Sequence, residues 1–175
     1  GQAAREASRQ LALLGEQKKN QVLETVAQEL LAKADEIIAA NKVDLENATN
    51  MPEKFIDRLK IDNDRIAAMA EGVRQVAQLA DPIGKIDAGW VNYAGLQIEK
   101  KRVPLGVVGM IFEARPNVTV DASALCFKSG NAVILRGGKE ALQTNIKITK
   151  VIRQALEQEG INPDEAENLL DIMAL

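Results

Sequence analysis

A chain of 175 residues, 46% hydrophobic and 27% charged, has the size and make-up of one globular domain and can bury a core without metal ions or disulfides. A net charge of −3 and only 3% aromatic residues provide neither a basic field nor a stacking platform, so no nucleic acid and no anionic membrane surface is expected as a partner. Histidine is missing and Cys126 is the single cysteine, which excludes an internal disulfide, His-dependent triads and any metal site built on His or several thiolates. No apolar run approaches bilayer length, the start does not read as a signal peptide, and a reducing compartment suits the lone thiol.

Residues 1–82 read as a helical layer. Within residues 21–40, Val22, Val26, Leu30, Ala34 and Ile37 recur at helical spacing. Asn41 and the run 47–50 punctuate, and Met51-Pro52 opens a short helix ending at Leu59. Asp62 is placed to cap the next helix, whose inner face carries Ile66, Met69, Val73, Val76 and Ala80 before Asp81-Pro82 stops it.

The period changes to two over residues 84–102, a β-hairpin or ribbon with its turn at residues 92–95. From residue 103 onward strand and helix alternate. Residues 107–112 form a buried strand, and 118–128 a helix with Val118, Ala122, Leu125 and Cys126 inward. Ser129-Gly-Asn131 ends that helix, 132–135 is a second strand, and 139–159 a second helix. This βαβ unit, residues 103–175, implies parallel strands joined by a right-handed crossover. Residues 168–175 suit either a third strand or a helix end. With so few strands the α/β sheet reads as incomplete, so the chain is expected to be a fragment or to complete its sheet with another copy.

Two loops carry residues fit for chemistry. Gly106-x-x-Gly109 is not the dinucleotide fingerprint, and Gly138-Lys-Glu140 lacks the spacing of a P-loop. The run Leu135-Arg-Gly-Gly-Lys-Glu-Ala141, however, leaves a parallel strand and enters a helix, where phosphates bind; Arg136 and Lys139 add charge. A plain strand–helix turn explains it equally well. Glu113-Ala-Arg-Pro-Asn117 ends the preceding strand on the same sheet edge. Arg115 suits a phosphate or carboxylate, and Asn117 a developing oxyanion. The alternative leaves Asn117 as a helix cap and pairs Arg115 with Glu113 or Asp121. Cys126 reads as a small buried apolar residue.

Residues 102–121 (RVPLGVVGMIFEARPNVTVD) and 128–141 (KSGNAVILRGGKEA) closely resemble the γ-glutamyl phosphate reductase (glutamate-5-semialdehyde dehydrogenase) family of the aldehyde dehydrogenase superfamily. The likeness covers nearly the whole chain and weakens after about residue 160. It implies NADPH-dependent reduction of L-glutamyl 5-phosphate to L-glutamate 5-semialdehyde and phosphate, in cytoplasmic proline biosynthesis. It also implies a covalent route through a cysteine whose place Cys126 does not occupy. The chain then corresponds to the N-terminal part of a Rossmann-like NADP-binding domain, with the catalytic domain absent and no turnover by itself. By the same resemblance Arg136, Gly137, Gly138, Lys139 and Glu140 hold the cofactor, with Arg136 or Lys139 on its 2′-phosphate. Arg115 contacts the substrate phosphate and Asn117 stands on the oxyanion side. A homo-oligomer through residues 84–102 is implied, and a contact with glutamate 5-kinase is admitted. Two alternatives stand beside this: a CoA-acylating aldehyde dehydrogenase and a non-catalytic assembly module.

Overall fold

Helices α1 (Gln2–Leu11), α2 (Glu16–Ala32), α3 (Ala34–Asn47), α4 (Glu53–Leu59) and α5 (Asn63–Gln78) build the first layer. The computed structural model describes residues 2–48, 51–161 and 170–172. On α2 the spaced apolar residues Val22, Val26 and Leu30, with Leu23 and Ala27 beside them, are all buried, and the helix lies along α5. There Ile66, Met69, Ala70 and Val73 complete the seam. The Asp62 carboxylate caps α5, accepting the Arg65 N–H at 2.9 Å.

Three expectations for this layer are corrected. The continuous helix over residues 21–40 breaks at Lys33, with no Gly or Pro to announce it; α2 packs between α5 and α7, whereas α3 turns away from α5 and keeps mainly the α7 side. Asn41 does not punctuate; it is buried inside α3. Its Nδ2 donates to Leu59 O at 2.9 Å and Thr144 Oγ1 at 3.1 Å, and its Oδ1 accepts from Ile61 N–H at 2.8 Å, so every polar group is satisfied. Finally, α5 ends at Gln78, which leaves Ala80 exposed beyond it.

Strands β1 (Ile86–Val91) and β2 (Gln97–Lys101) pair antiparallel, Trp90 opposite Ile98. The turn between them is made by Asn92, whose Oδ1 accepts the N–H groups of Ala94 and Leu96, and by Gly95 at φ +81. This ribbon stands apart from the core: all of β1 is exposed, including half of Trp90.

Strands β3 (Val107–Ile111), β4 (Ala132–Arg136) and β5 (Leu170–Ile172) form a parallel sheet in the order β3-β4-β5. The strand reading for residues 168–175 holds at Leu170–Ile172; 168, 169 and 173–175 lie outside the described residues. β4 is well buried. β3, expected to be buried, is an edge strand among the described residues, and Ile111 is 79% exposed.

Helix α6 (Pro116–Lys128) starts two residues earlier than expected, with Pro116 presetting φ in its first turn. Its inner face is also phased differently. Leu125 is 52% exposed, whereas Thr119 and Ser123 are buried. Both hydroxyls are satisfied: Thr119 Oγ1 donates to Asn145 Oδ1 on α7 at 2.9 Å, and Ser123 Oγ donates to Thr119 O, one turn back, at 2.6 Å. Gly130, at φ +71, turns the chain into β4. The last helix does not begin at Lys139: residues Lys139–Ala141 make one 3-10 turn before α7 (Leu142–Gln158).

Candidate functional site

Parallel pairing of β3 and β4, with Ile111 opposite Arg136, carries both candidate loops to the same C-terminal edge, as expected. The Phe112 N–H extends the ladder to Arg136 O at 3.0 Å. Beyond this point the two loops part company.

In the second loop Arg136 and Lys139 are exposed, and neither is ion-paired among the described residues. The glycines between them serve close packing. A Cβ on Gly137 would sit 2.3 Å from Asn145 Nδ2 and 3.2 Å from the Phe112 ring. A Cβ on Gly138 would lie 2.7 Å from Glu140 Oε2 and 3.2 Å from Ala114 N. The side of each glycine on which a side chain would stand thus faces protein.

The N-terminus of α7 holds a carboxylate from within the chain. Asp44, buried in the last turn of α3, accepts Thr144 N–H at 2.8 Å, Thr144 Oγ1 at 2.6 Å and Gln143 N–H at 3.1 Å. The amides of Gln143 and Thr144 are therefore taken, and that pair is not open to a ligand at the start of α7. The sequence reading missed Asp44. Its partner lies 100 residues away, and an Asp near a helix end ordinarily faces solvent.

The first loop turns elsewhere. Arg115 is the N-cap residue of α6 and is exposed, with no ion pair to Glu113 or Asp121. Asn117 does not cap the helix; its Nδ2 donates to Asp121 Oδ2 at 3.3 Å, one turn on. Burial pushes the Asp121 carboxyl up, and the Asn117 hydrogen bond partly opposes that. Arg115, Asn117 and Asp121 line one wall of a groove of about 500 Å³ whose other wall is the end of α4 and the start of α5, with Asp57, Arg58 and Lys60. Arg136 and Lys139 are not among its walls. The sequence places the α4 residues only in a short helix of the first layer. The available signal was the density of charge in Asp57-Arg-Leu-Lys60, just before a capped helix.

Cys126 is buried, and burial pushes its thiol up, away from the thiolate a nucleophile needs. Among the described residues no group of three acidic, His or Cys side chains could hold a metal ion, and no helix is long and apolar enough to cross a membrane.

A parallel edge with two charged loops is shared by many α/β folds, and the comparison with known families decides between them. Residues 1–169 match the aldehyde dehydrogenase family. The chain belongs to that family. Among its aldehyde dehydrogenase relatives, the γ-glutamyl phosphate reductase of Ligilactobacillus salivarius (strain UCC118) is 98% identical over 167 residues, covering 95% of this chain and 40% of the relative. That of Lactiplantibacillus plantarum (strain ATCC BAA-793 / NCIMB 8826 / WCFS1) is 57% identical over 98% of this chain and 41% of its own length. The crystal structure of the γ-glutamyl phosphate reductase from Thermotoga maritima superposes with a TM-score of 0.91 at 36% identity, over 98% of this chain and 41% of that one. The chain thus spans about two fifths of the length of the relatives it matches.

Proposed function

We propose that this chain contributes the first part of the NADP-binding domain to a γ-glutamyl phosphate reductase, a cytoplasmic enzyme of proline biosynthesis. The complete reductase converts L-glutamyl 5-phosphate, NADPH and a proton to L-glutamate 5-semialdehyde, NADP⁺ and phosphate. The observation that carries this reading is the 98% identity to the Ligilactobacillus reductase over 167 residues. It favours the reductase over a CoA-acylating aldehyde dehydrogenase. The division into a helical layer (1–82), a hairpin (84–102) and a βαβ unit (103–175) is part of the proposal, with the catalytic cysteine contributed from outside these 175 residues.

The donor set suits a dinucleotide phosphate: two unpaired cations, Arg136 and Lys139, flank Gly137 and Gly138 on the open edge of a parallel sheet. Arg136 or Lys139 would hold the 2′-phosphate, and the 137–140 backbone with Glu140 would position the rest of the adenosine side. NADPH, when bound, supplies the hydride. Arg115 would orient the acyl phosphate and neutralise the departing phosphate, and the Asn117 amide would donate to the carbonyl oxygen as negative charge builds there. Cys126 has no part in the covalent step. The exposed ribbon offers Trp90, Val91 and Leu96 to a second copy, so the reductase is a homo-oligomer through residues 84–102. A contact with glutamate 5-kinase would hand over a labile acyl phosphate; co-sedimentation of the two purified enzymes tests it, and separate migration removes it.

The decisive assay on the complete reductase is NADPH consumption coupled to phosphate release from L-glutamyl phosphate. Turnover only with CoA and short aldehydes would replace this reading with the acylating one. Arg136→Ala and Lys139→Ala then test the loop. A charge-assisted contact to the 2′-phosphate contributes about 1.5–3 kcal/mol, or roughly tenfold to more than a hundredfold in the KM for NADPH relative to NADH. Equal losses for both cofactors would give the loop a purely structural role.

A further inference from the structure

The groove between α4 and α6 carries cationic side chains besides Arg115. Arg65, on the same wall, is committed to the fold: its guanidinium donates to Asp57 O, Lys60 O and Asp57 Oδ1, bracing the turn between α4 and α5. Arg58 and Lys60 are not committed in this way. Both are exposed, and neither has a carboxylate within ion-pair reach among the described residues. Arg58 lies over the Phe55 ring at 5.6 Å, a contact that steadies the guanidinium without neutralising it. Lys60 follows the buried Leu59, whose carbonyl is fixed by Asn41 Nδ2 at 2.9 Å, so its backbone is held although its side chain is not. Arg115 and Asn117 line the same groove from a different element, the start of α6. A space of about 500 Å³ is in the range that encloses a small metabolite rather than a single ion.

Two separate cationic stations on one groove suit one ligand with two anionic ends. We infer that Arg58 and Lys60 bind the α-carboxylate of the substrate while its reacting end lies at Arg115 and Asn117, which makes the α4 pair the device that selects an α-amino acid side-chain aldehyde or acyl phosphate over a simple one. This assignment rests on the reductase reading above. Asp57 and Asp121, also in the walls, set a limit on the ligand: a purely anionic molecule meets repulsion there, whereas one that also carries an ammonium group does not.

The test uses the complete reductase in the oxidative direction, with NADP⁺ and phosphate, and compares L-glutamate 5-semialdehyde with 4-aminobutanal, which lacks the α-carboxylate. In the unaltered enzyme the semialdehyde is preferred. Arg58→Ala and Lys60→Ala should each lower kcat/KM for the semialdehyde by roughly tenfold to a hundredfold, mainly through KM, and leave 4-aminobutanal and the KM for NADP⁺ unchanged. Because the ratio of the two aldehydes is taken within each variant, a partly unfolded preparation does not distort it. Lys60→Arg and Arg58→Lys, which keep the charge, should recover most of the preference. Equal losses for both aldehydes, or an unchanged ratio, would overturn the assignment. An unaltered enzyme that oxidises neither aldehyde with NADP⁺ would instead remove the reductase reading itself.

Discussion

Replacing Asp44 by Ala tests whether one buried carboxylate fixes the entry of α7. In the native chain it accepts three donors, two of them, the Thr144 N–H and hydroxyl, on a residue with no solvent exposure. Stranding a buried donor costs about 1–3 kcal/mol, while Gln143 N–H is near enough to the surface to find water. The deletion also removes an anion from the last turn of α3, where the helix dipole opposes it, so the net loss should be about 2–4 kcal/mol. For a chain of this size that corresponds to a fall in Tm of roughly 4–16 °C. Asp44→Asn keeps one acceptor and should lose about half as much. Thermal melting followed by circular dichroism measures both, and hydrogen exchange at Thr144 should quicken before global unfolding. The decisive control is a double-mutant cycle with Thr144→Val: if the two losses simply add, the pair is uncoupled and the reasoning fails.

Other consequences follow from single contacts. Gly137→Ala places a methyl 2.3 Å from Asn145 Nδ2, forcing that side chain off Thr119, so a loss of about 1–3 kcal/mol is expected. Gly109→Ala, with nothing within 4 Å, should be neutral in the same melts, and equal effects at the two sites would refute the packing argument. Asp81 contacts buried Lys19 at 2.7 Å; burial raises its carboxyl, but the Lys19 and Ile83 hydrogen bonds outweigh this and hold it below its ordinary value of 3.8. A depressed carboxyl contributes stability above its unfolded pKa and loses it as pH falls through the folded one, so Tm should drop below about pH 4, and Asp81→Asn should flatten that drop. At pH 7 the same variant strands the buried Lys19 cation and should cost about 3–5 kcal/mol. Charged residues at Trp90 and Leu96 should reduce the assembly size of the complete reductase in light scattering; unchanged mass would count against the ribbon as the interface.

Local chemistry was legible in the sequence wherever a residue acts on its own neighbours. Asn92 and Gly95 shape the hairpin turn, Asp62 caps α5 three residues on, and Gly130 adopts the left-handed turn after α6. The βαβ order likewise followed from the alternation of elements, and with it the placing of both loops on one edge. What stayed hidden depended on partners distant in the chain. Asn41 reads as a break and is a satisfied core residue because Leu59, Ile61 and Thr144 converge on it. Thr119 and Ser123 displaced Leu125 from the inner face of α6, since hydroxyls bonded to Asn145 and to the helix itself cost little to bury. The divergence of Arg115 from Arg136 arises from the direction in which α6 leaves the sheet, which no motif records.

The anchors of α7 also put the order of events during synthesis under constraint. Helix α2 can close on α5 early, with Arg74 and Glu24 only 50 residues apart. The opposite side of the layer waits: Asp44 needs Thr144, 100 residues later, and Lys18 and Thr25 need Glu159, 141 and 134 residues later. At about 5–20 residues per second, a delay of 100 residues lasts roughly 5–20 s. Over that interval the apolar side that α2 turns to α7 has no cover from its own chain on the ribosome. The inner face of the helical layer is thus completed from the far end of the chain, and only once α7 has emerged.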